Sequence, residues 1–160
     1  RVLFRSGPDG VEKWRDTFPN LVVNVGLQLM NSTFFTGSAY TAAWYLGLVT
    51  GPGSGTTFAA SDTMSSHGGW SEDTTYSNAT RPAVTFGSPS LADPSVIAST
   101  PTSFTINGTT TIAGAFLTTN STKGGTTGTL FSASDFTGGD RLLQSGDTLN
   151  VTYTFSLDAP

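Results

Sequence analysis

The chain has 160 residues, a formal net charge of −4, only 11% charged residues and no cysteine. That length suits a domain with a real core. The missing thiols exclude disulfides and thiolate chemistry, and the acidic balance argues against nucleic acid, whose phosphates need a basic patch. Threonine supplies about a sixth of the residues and aromatics 11%. β-Branched side chains favour pleated surfaces, and that many aromatic anchors separate a folded chain from a Thr-rich disordered stalk. The expectation is a mainly β fold.

Charge is concentrated at the start. Residues 1–16 hold Arg1, Arg5, Asp9, Glu12, Lys13, Arg15 and Asp16, and Thr17 to Ser61 hold none. With Gly7-Pro8-Asp9-Gly10 as a turn or linker signal, residues 1–16 read as an extended charged arm ahead of a body at 17–160. Val2, Leu3, Phe4 and Trp14, flanked by Arg5 and Arg15, are its candidate partner-binding residues. Thr17 to Phe35 reads as one short helix, capped by Asp16 or Thr17, with Pro19 in its first turn and Leu21, Val25 and Leu29 along one face. A strand at Leu21–Val25 is the rival reading, because Gly26 and the valines weaken a helix.

Ala39 to Thr50 is an uncharged apolar run stopped by Gly51-Pro52-Gly53. It is too short for a bilayer-spanning helix and reads as a central strand buried on both faces. Gly51 to Tyr76 reads as a long loop, and loops of that length are often functional. His67 and Trp70 lie in it as candidate contact residues. Ala83–Phe86 and Phe104–Ile106 read as strands, with Asn107-Gly108 as a type I′ hairpin turn into a return strand at Thr109–Leu117. The small residues of Ile112–Leu117 predict close approach of another segment. A short strand over Gly128–Ser132 follows. Thr148–Leu157 alternates Leu149, Val151, Tyr153, Phe155 and Leu157 with polar residues, the clearest strand pattern in the chain. Short strands at this spacing predict an antiparallel β-sandwich or open barrel.

Catalytic patterns are sparse. His67 is the only histidine, so a Ser-His-Asp set has one candidate base, in a Gly/Ser-rich loop. Zinc needs three or four suitable ligands, which one histidine without cysteine does not supply. Glu72, Asp73, Asp135 and Asp140 could form a glycosidase carboxylate pair, yet each reads first as a solvated turn acid. Asp135 to Asp140 loosely resembles a calcium loop without its regular ligand spacing. Asn31, Asn78, Asn107, Asn120 and Asn150 head Asn-X-Ser/Thr sequons, a pattern that chance produces often in a Thr-rich chain. The expectation is a protein with no catalytic, metal or cofactor site.

The order of motifs carries a resemblance. Ala39-Tyr40-Thr41 precedes Trp44-Tyr45-Leu46-Gly47-Leu48-Val49-Thr50; then come Gly68-Gly69-Trp70, Arg81-Pro82-Ala83-Val84-Thr85-Phe86, the Ile112–Leu117 strand, Gly128-Thr129-Leu130 and Ser145-Gly146-Asp147-Thr148-Leu149. This order resembles small all-β virion structural proteins of tailed bacteriophages, described as minor structural, head-decoration or tail-fibre-like, over roughly Thr17 to Leu157. The resemblance implies a non-enzymatic virion protein on the capsid exterior, a decoration or cement protein bridging major capsid protein subunits. Its partners would be the major capsid protein and copies of itself, a homotrimer among the assemblies allowed. The alternative is a tail or fibre protein that binds a host receptor or glycan through the Gly51–Tyr76 loop.

Overall fold

A computed structural model describes residues 2–37, 39–51 and 56–158, with the backbone alone for Val2 and Leu3. The fold is mainly β, with antiparallel sheets and one helix. The first sheet has the order β2-β1-β11-β7, from strands β1 (Val2–Ser6), β2 (Glu12–Thr17), β7 (Thr102–Thr105) and β11 (Thr148–Thr152). The second has the order β3-β9-β8-β4-β5, from β3 (Leu21–Val22), β4 (Tyr45–Thr50), β5 (Glu72–Asp73), β8 (Thr110–Thr118) and β9 (Leu130–Asp135). After β9 ends, β10 (Arg141–Leu143) takes its place beside β8, pairing with Thr110–Ile112. A separate ribbon joins β6 (Ser95–Ala98) to β12 (Thr154–Leu157).

The main core fills the space between the sheets. Phe104, Leu149 and Val151 of the first sheet share one buried cluster with Leu46, Leu48, Ile112, Ala115, Leu117 and Phe131 of the second. The alternate residues of the second sheet, Val49, Ala113, Phe116, Leu130 and Ala133, form a second cluster with Val23, Met64 and Trp70. The second sheet is therefore apolar on both faces, which is why β4 and β8 read as continuous apolar runs. Its outer face is covered by the segment 56–71 and by the chain entering the helix.

Several expectations change. The run Ala39–Thr50 becomes a strand only from Tyr45, and β8, hydrogen-bonded to β4 on one side and to β9 and β10 on the other, holds the centre of its sheet. Asn107-Gly108 is not a type I′ hairpin: it carries the chain from β7 in one sheet to β8 in the other, and no non-glycine residue has positive φ among the described residues. The helix α1 spans Asn24–Thr36 rather than Thr17–Phe35. Leu21 and Val22 instead pair with Ala133 and Ser132 as β3, so the rival strand reading holds for those two residues. Val23 is the N-cap without a side-chain cap bond, and Gly37, at φ 68°, ends the helix in the left-handed conformation.

The largest change concerns the arm expected at 1–16. Its described residues, 2–16, form no arm: β1 pairs with β11 on one side and with β2 on the other. The expected boundary after residue 16 falls inside β2. Three of the charges that suggested an arm are taken up in ion pairs across the fold: Arg5 and Lys13 with Asp147, and Asp16 with Arg141.

Candidate functional site

The expected partner-binding residues of the N-terminus serve their own sheet. The guanidinium of Arg5 pairs with Asp147 and donates to the Leu142 carbonyl at 2.6 Å. Trp14 packs against the main core under the Arg141 guanidinium, which lies 4.9 Å from its ring centre. Phe4 is half-buried with Arg15 5.2 Å above its ring, and Arg15 also forms an exposed pair with Glu12. Val2 and Leu3 pair through their backbones with Thr152 and Val151; their side chains lie outside the described residues.

The loop candidates turn inward as well. Trp70 is only 6% exposed, and its indole N–H donates to Asp62 at 2.9 Å. The His67 ring stacks on it with centroids 3.9 Å apart, and His67 Nδ1 lies 3.0 Å from the Trp70 carbonyl oxygen. Phe58 and Phe116 complete an aromatic cluster around the indole. The loop's role in the fold is to cap the outer face of the second sheet, and the indole offers no free ring face for a sugar.

The acidic candidates are likewise engaged. Glu72 holds the buried Arg81 through two contacts, of 2.9 and 2.7 Å. Asp73 accepts from the Thr75 amide and the Thr110 hydroxyl. Burial pushes the Asp135 carboxyl up, and the nearby Asp140 adds to that. Among the described residues no cluster of three or more His, Cys, Asp or Glu side chains could hold a metal ion.

What sequence reasoning missed is a groove beside α1. Only Gly26 of the helix is buried, because the Phe131 carbonyl oxygen occupies the place where a Cβ would stand. This close approach anchors the first turn; further along the helix, Met30 packs against the main core, while Leu27, Phe34 and Phe35 are exposed. Between its later turns, the Tyr40–Trp44 segment and β12 lies a groove of about 500 Å³, lined by Leu29, Met30, Phe34, Phe35, Trp44 and Leu157 among others. A second hollow of about 210 Å³ shares Met30 and Trp44 with it and runs on under Phe86, Phe131 and Phe155. Trp44 is held edge-on against Phe131, with centroids 5.2 Å apart. Phe34 and Phe35 meet edge-on and are 82% and 79% exposed.

None of the residues lining either hollow is Asp, Glu, Lys, Arg or His. Burial pushes the Tyr40 phenol up, against a backbone hydrogen bond to Ala43, so it stays neutral at physiological pH. The groove offers apolar contact and almost nothing that could move a proton. Its signal in the sequence is the Phe34-Phe35 pair in a helix without any charge to give it a polar face.

No protein-family model, characterised protein or solved structure matches the chain.

Proposed function

We propose that the chain is a non-enzymatic structural protein of a tailed-phage virion, a capsid decoration or cement protein that binds and bridges major capsid protein subunits. The observation that carries this reading is the groove beside α1. A large uncharged apolar surface on an acidic body is what a subunit of a lasting assembly presents. The order of sequence motifs supplies the virion context. The inward-turned Trp70 and His67 weigh against a host receptor or glycan contact through the loop, so the tail-fibre reading is the weaker one.

The test is stoichiometry in purified particles with heads and tails separated. Decoration predicts many copies per head, on the scale of the major capsid protein. A few copies confined to the tail fraction, or none in either, would overturn it.

A further inference from the structure

Sheet edges are where one chain invites another, because an unpaired strand presents a row of free N–H and C=O groups. Most edges of this fold are covered, charged or very short. On the outer side of β7, the Ser77 amide donates to the Thr105 carbonyl. The Asn78 side chain donates to the Ser103 carbonyl there and accepts from the Thr105 amide. Beside β6, the amides of Gly87 and Ser90 donate to the Ala98 and Val96 carbonyls. β2 carries Glu12, Lys13, Arg15 and Asp16, and β3 and β5 are two residues long.

β12 is the exception. It holds no charge, and β6 is its one strand partner among the described residues. The Ser99 amide donates to the Tyr153 carbonyl, and hydrogen-bonded pairs alternate along an antiparallel ladder. Phe155 and Leu157 therefore bond towards β6, and the backbone groups of Thr154 and Ser156 point the other way. Past Tyr153 the β6–β12 ribbon prolongs the β7–β11 pair. β1, which borders β11, reaches only as far as Thr152, at Val2, and among the described residues no strand continues it.

The open side of β12 is the groove. Tyr153 and Phe155 stand on β9 through Ser132 and Phe131, while Ile97 of β6 shares a hollow with Leu117 of β8. β6 thus lies on the β8 side, and the free edge of β12 looks past β9 to where β3 leads into α1. Leu157 and the later turns of α1 line the same groove. One wall of that groove is therefore an unpaired strand, and this selects the occupant. Any apolar body satisfies the lining, but only extended backbone satisfies Thr154 and Ser156. Because α1 walls the far side, the occupant enters as a single segment, which disfavours the folded sheet edge of a second copy.

We propose that an extended, uncharged segment of the capsid subunit adds to β12 as a third strand, antiparallel to it and in line with β1. Its alternate side chains are apolar, on the face that carries Phe155 and Leu157. The inference rests on the decoration reading for the source of the segment, and on the β12 edge for its conformation.

The experiment is amide hydrogen exchange of the whole chain, free and bound to heads stripped of it, with binding followed by co-sedimentation. In the free chain the Thr154 and Ser156 amides should exchange quickly and that of Phe155 slowly; in the bound chain all three should be slow. Ser156→Pro removes an outward donor and leaves the β6 ladder intact. It should keep the thermal midpoint and weaken head binding about tenfold, the worth of one hydrogen bond. Leu91→Ser, a fully exposed position away from the open edge, should bind as the wild type does. Fast exchange at Thr154 and Ser156 in the bound chain would overturn the inference, even if Ser156→Pro does not fold. So would wild-type binding by a folded Ser156→Pro, or slow exchange at both amides in a free chain that sediments as a dimer. If the wild type binds no heads, decoration falls and the capsid falls as the source. A synthetic peptide copying Thr148–Leu157 then reads the edge alone: strand addition stands if it slows the two amides and falls if it does not.

Discussion

At the scale of single residues, Arg81 is tied to several parts of the fold at once. It is fully buried beside an almost buried Glu72. Its guanidinium donates twice to Glu72 and to the carbonyls of Asn120 and Gly125 at 3.0 and 2.7 Å. The group lies 5.2 Å from the centre of the Phe116 ring. One cation thereby ties β5 to the turn at 120–125 and to the outer apolar cluster. Removing one member of a buried ion pair leaves the other uncompensated, a loss of about 3–5 kcal/mol. Glu72→Gln should lower the unfolding free energy in urea by about that amount, and Arg81→Lys with Glu72 kept should also lose stability, because an ammonium cannot make the planar two-pronged contact. A change within error for Glu72→Gln would show that water screens the pair. Asp147 is the second such residue. Burial alone pushes its carboxyl up, but the Gln144 amide, the Arg5 guanidinium and Lys13 together hold it below the ordinary carboxylate range. A depressed folded value means a contribution present in full above the unfolded value of about 3.9 and lost as pH falls through the folded one. Thermal unfolding followed as the pH is lowered from neutral should therefore show an acid limb that Asp147→Asn flattens; an identical limb in the variant would assign the acid sensitivity to other carboxylates.

At the scale of elements, packing in the second sheet depends on absent side chains. A Cβ on Gly114 would fall on the Ser134 carbonyl oxygen of the neighbouring strand, a backbone atom that cannot swing away. Overfilling a packed site costs about 1–3 kcal/mol. Gly114→Ala should thus destabilise the protein by an amount in that range, while Gly87→Ala, whose Cβ would meet the Ala98 carbonyl at an ordinary 3.5 Å, should be close to neutral; equal midpoints in urea for the two would show that the strands part to admit the methyl group. The close approach at Gly114 was legible, because glycine weakens a strand interior and marks the places where another backbone comes near. Of the expected strands Ala39–Thr50 and Thr148–Leu157, the burial of Leu46–Val49 and the alternation from Thr148 were legible for the same kind of reason, although the chain breaks at Tyr153 into β11 and β12 of different sheets. The pattern even continues past the sheet. Leu149, Val151 and Tyr153 are buried, Phe155 is half-buried and Leu157 is exposed at the groove. What periodicity does not record is which sheet a strand joins. Asn107-Gly108 has the local chemistry of a hairpin yet links the two sheets, and the short β3 and β10 gave no periodic signal at all. The candidate site was obscured in the same way. Leu21, Val25 and Leu29 suggested one helix face, whereas Leu21 belongs to β3 and α1 meets the body through the backbone contact at Gly26 and through Met30.

At the scale of the whole molecule, the N-terminal hairpin decides whether the fold is a body with an attachment or one cooperative unit. Its charges made it look separable, since mobile termini are often charged and polar. Yet three of them are matched by residues more than a hundred positions away: Arg5 and Lys13 by Asp147, and Asp16 by Arg141 and the Gly138 amide. β1 also occupies the whole length of β11, the strand that carries Leu149 and Val151 into the core, and Trp14 of β2 packs against the same cluster. Deleting residues 1–16 would therefore strip β11 of its partner on one side and expose a strand edge bearing core residues. The expected outcome is a chain that no longer unfolds in a single sharp thermal transition, loses its near-ultraviolet circular dichroism and elutes as aggregate from a sizing column. A truncated chain with the same transition midpoint and a monodisperse elution would instead establish the hairpin as a dispensable tether, and would reopen Phe4, Trp14 and Arg15 as contacts for a capsid subunit.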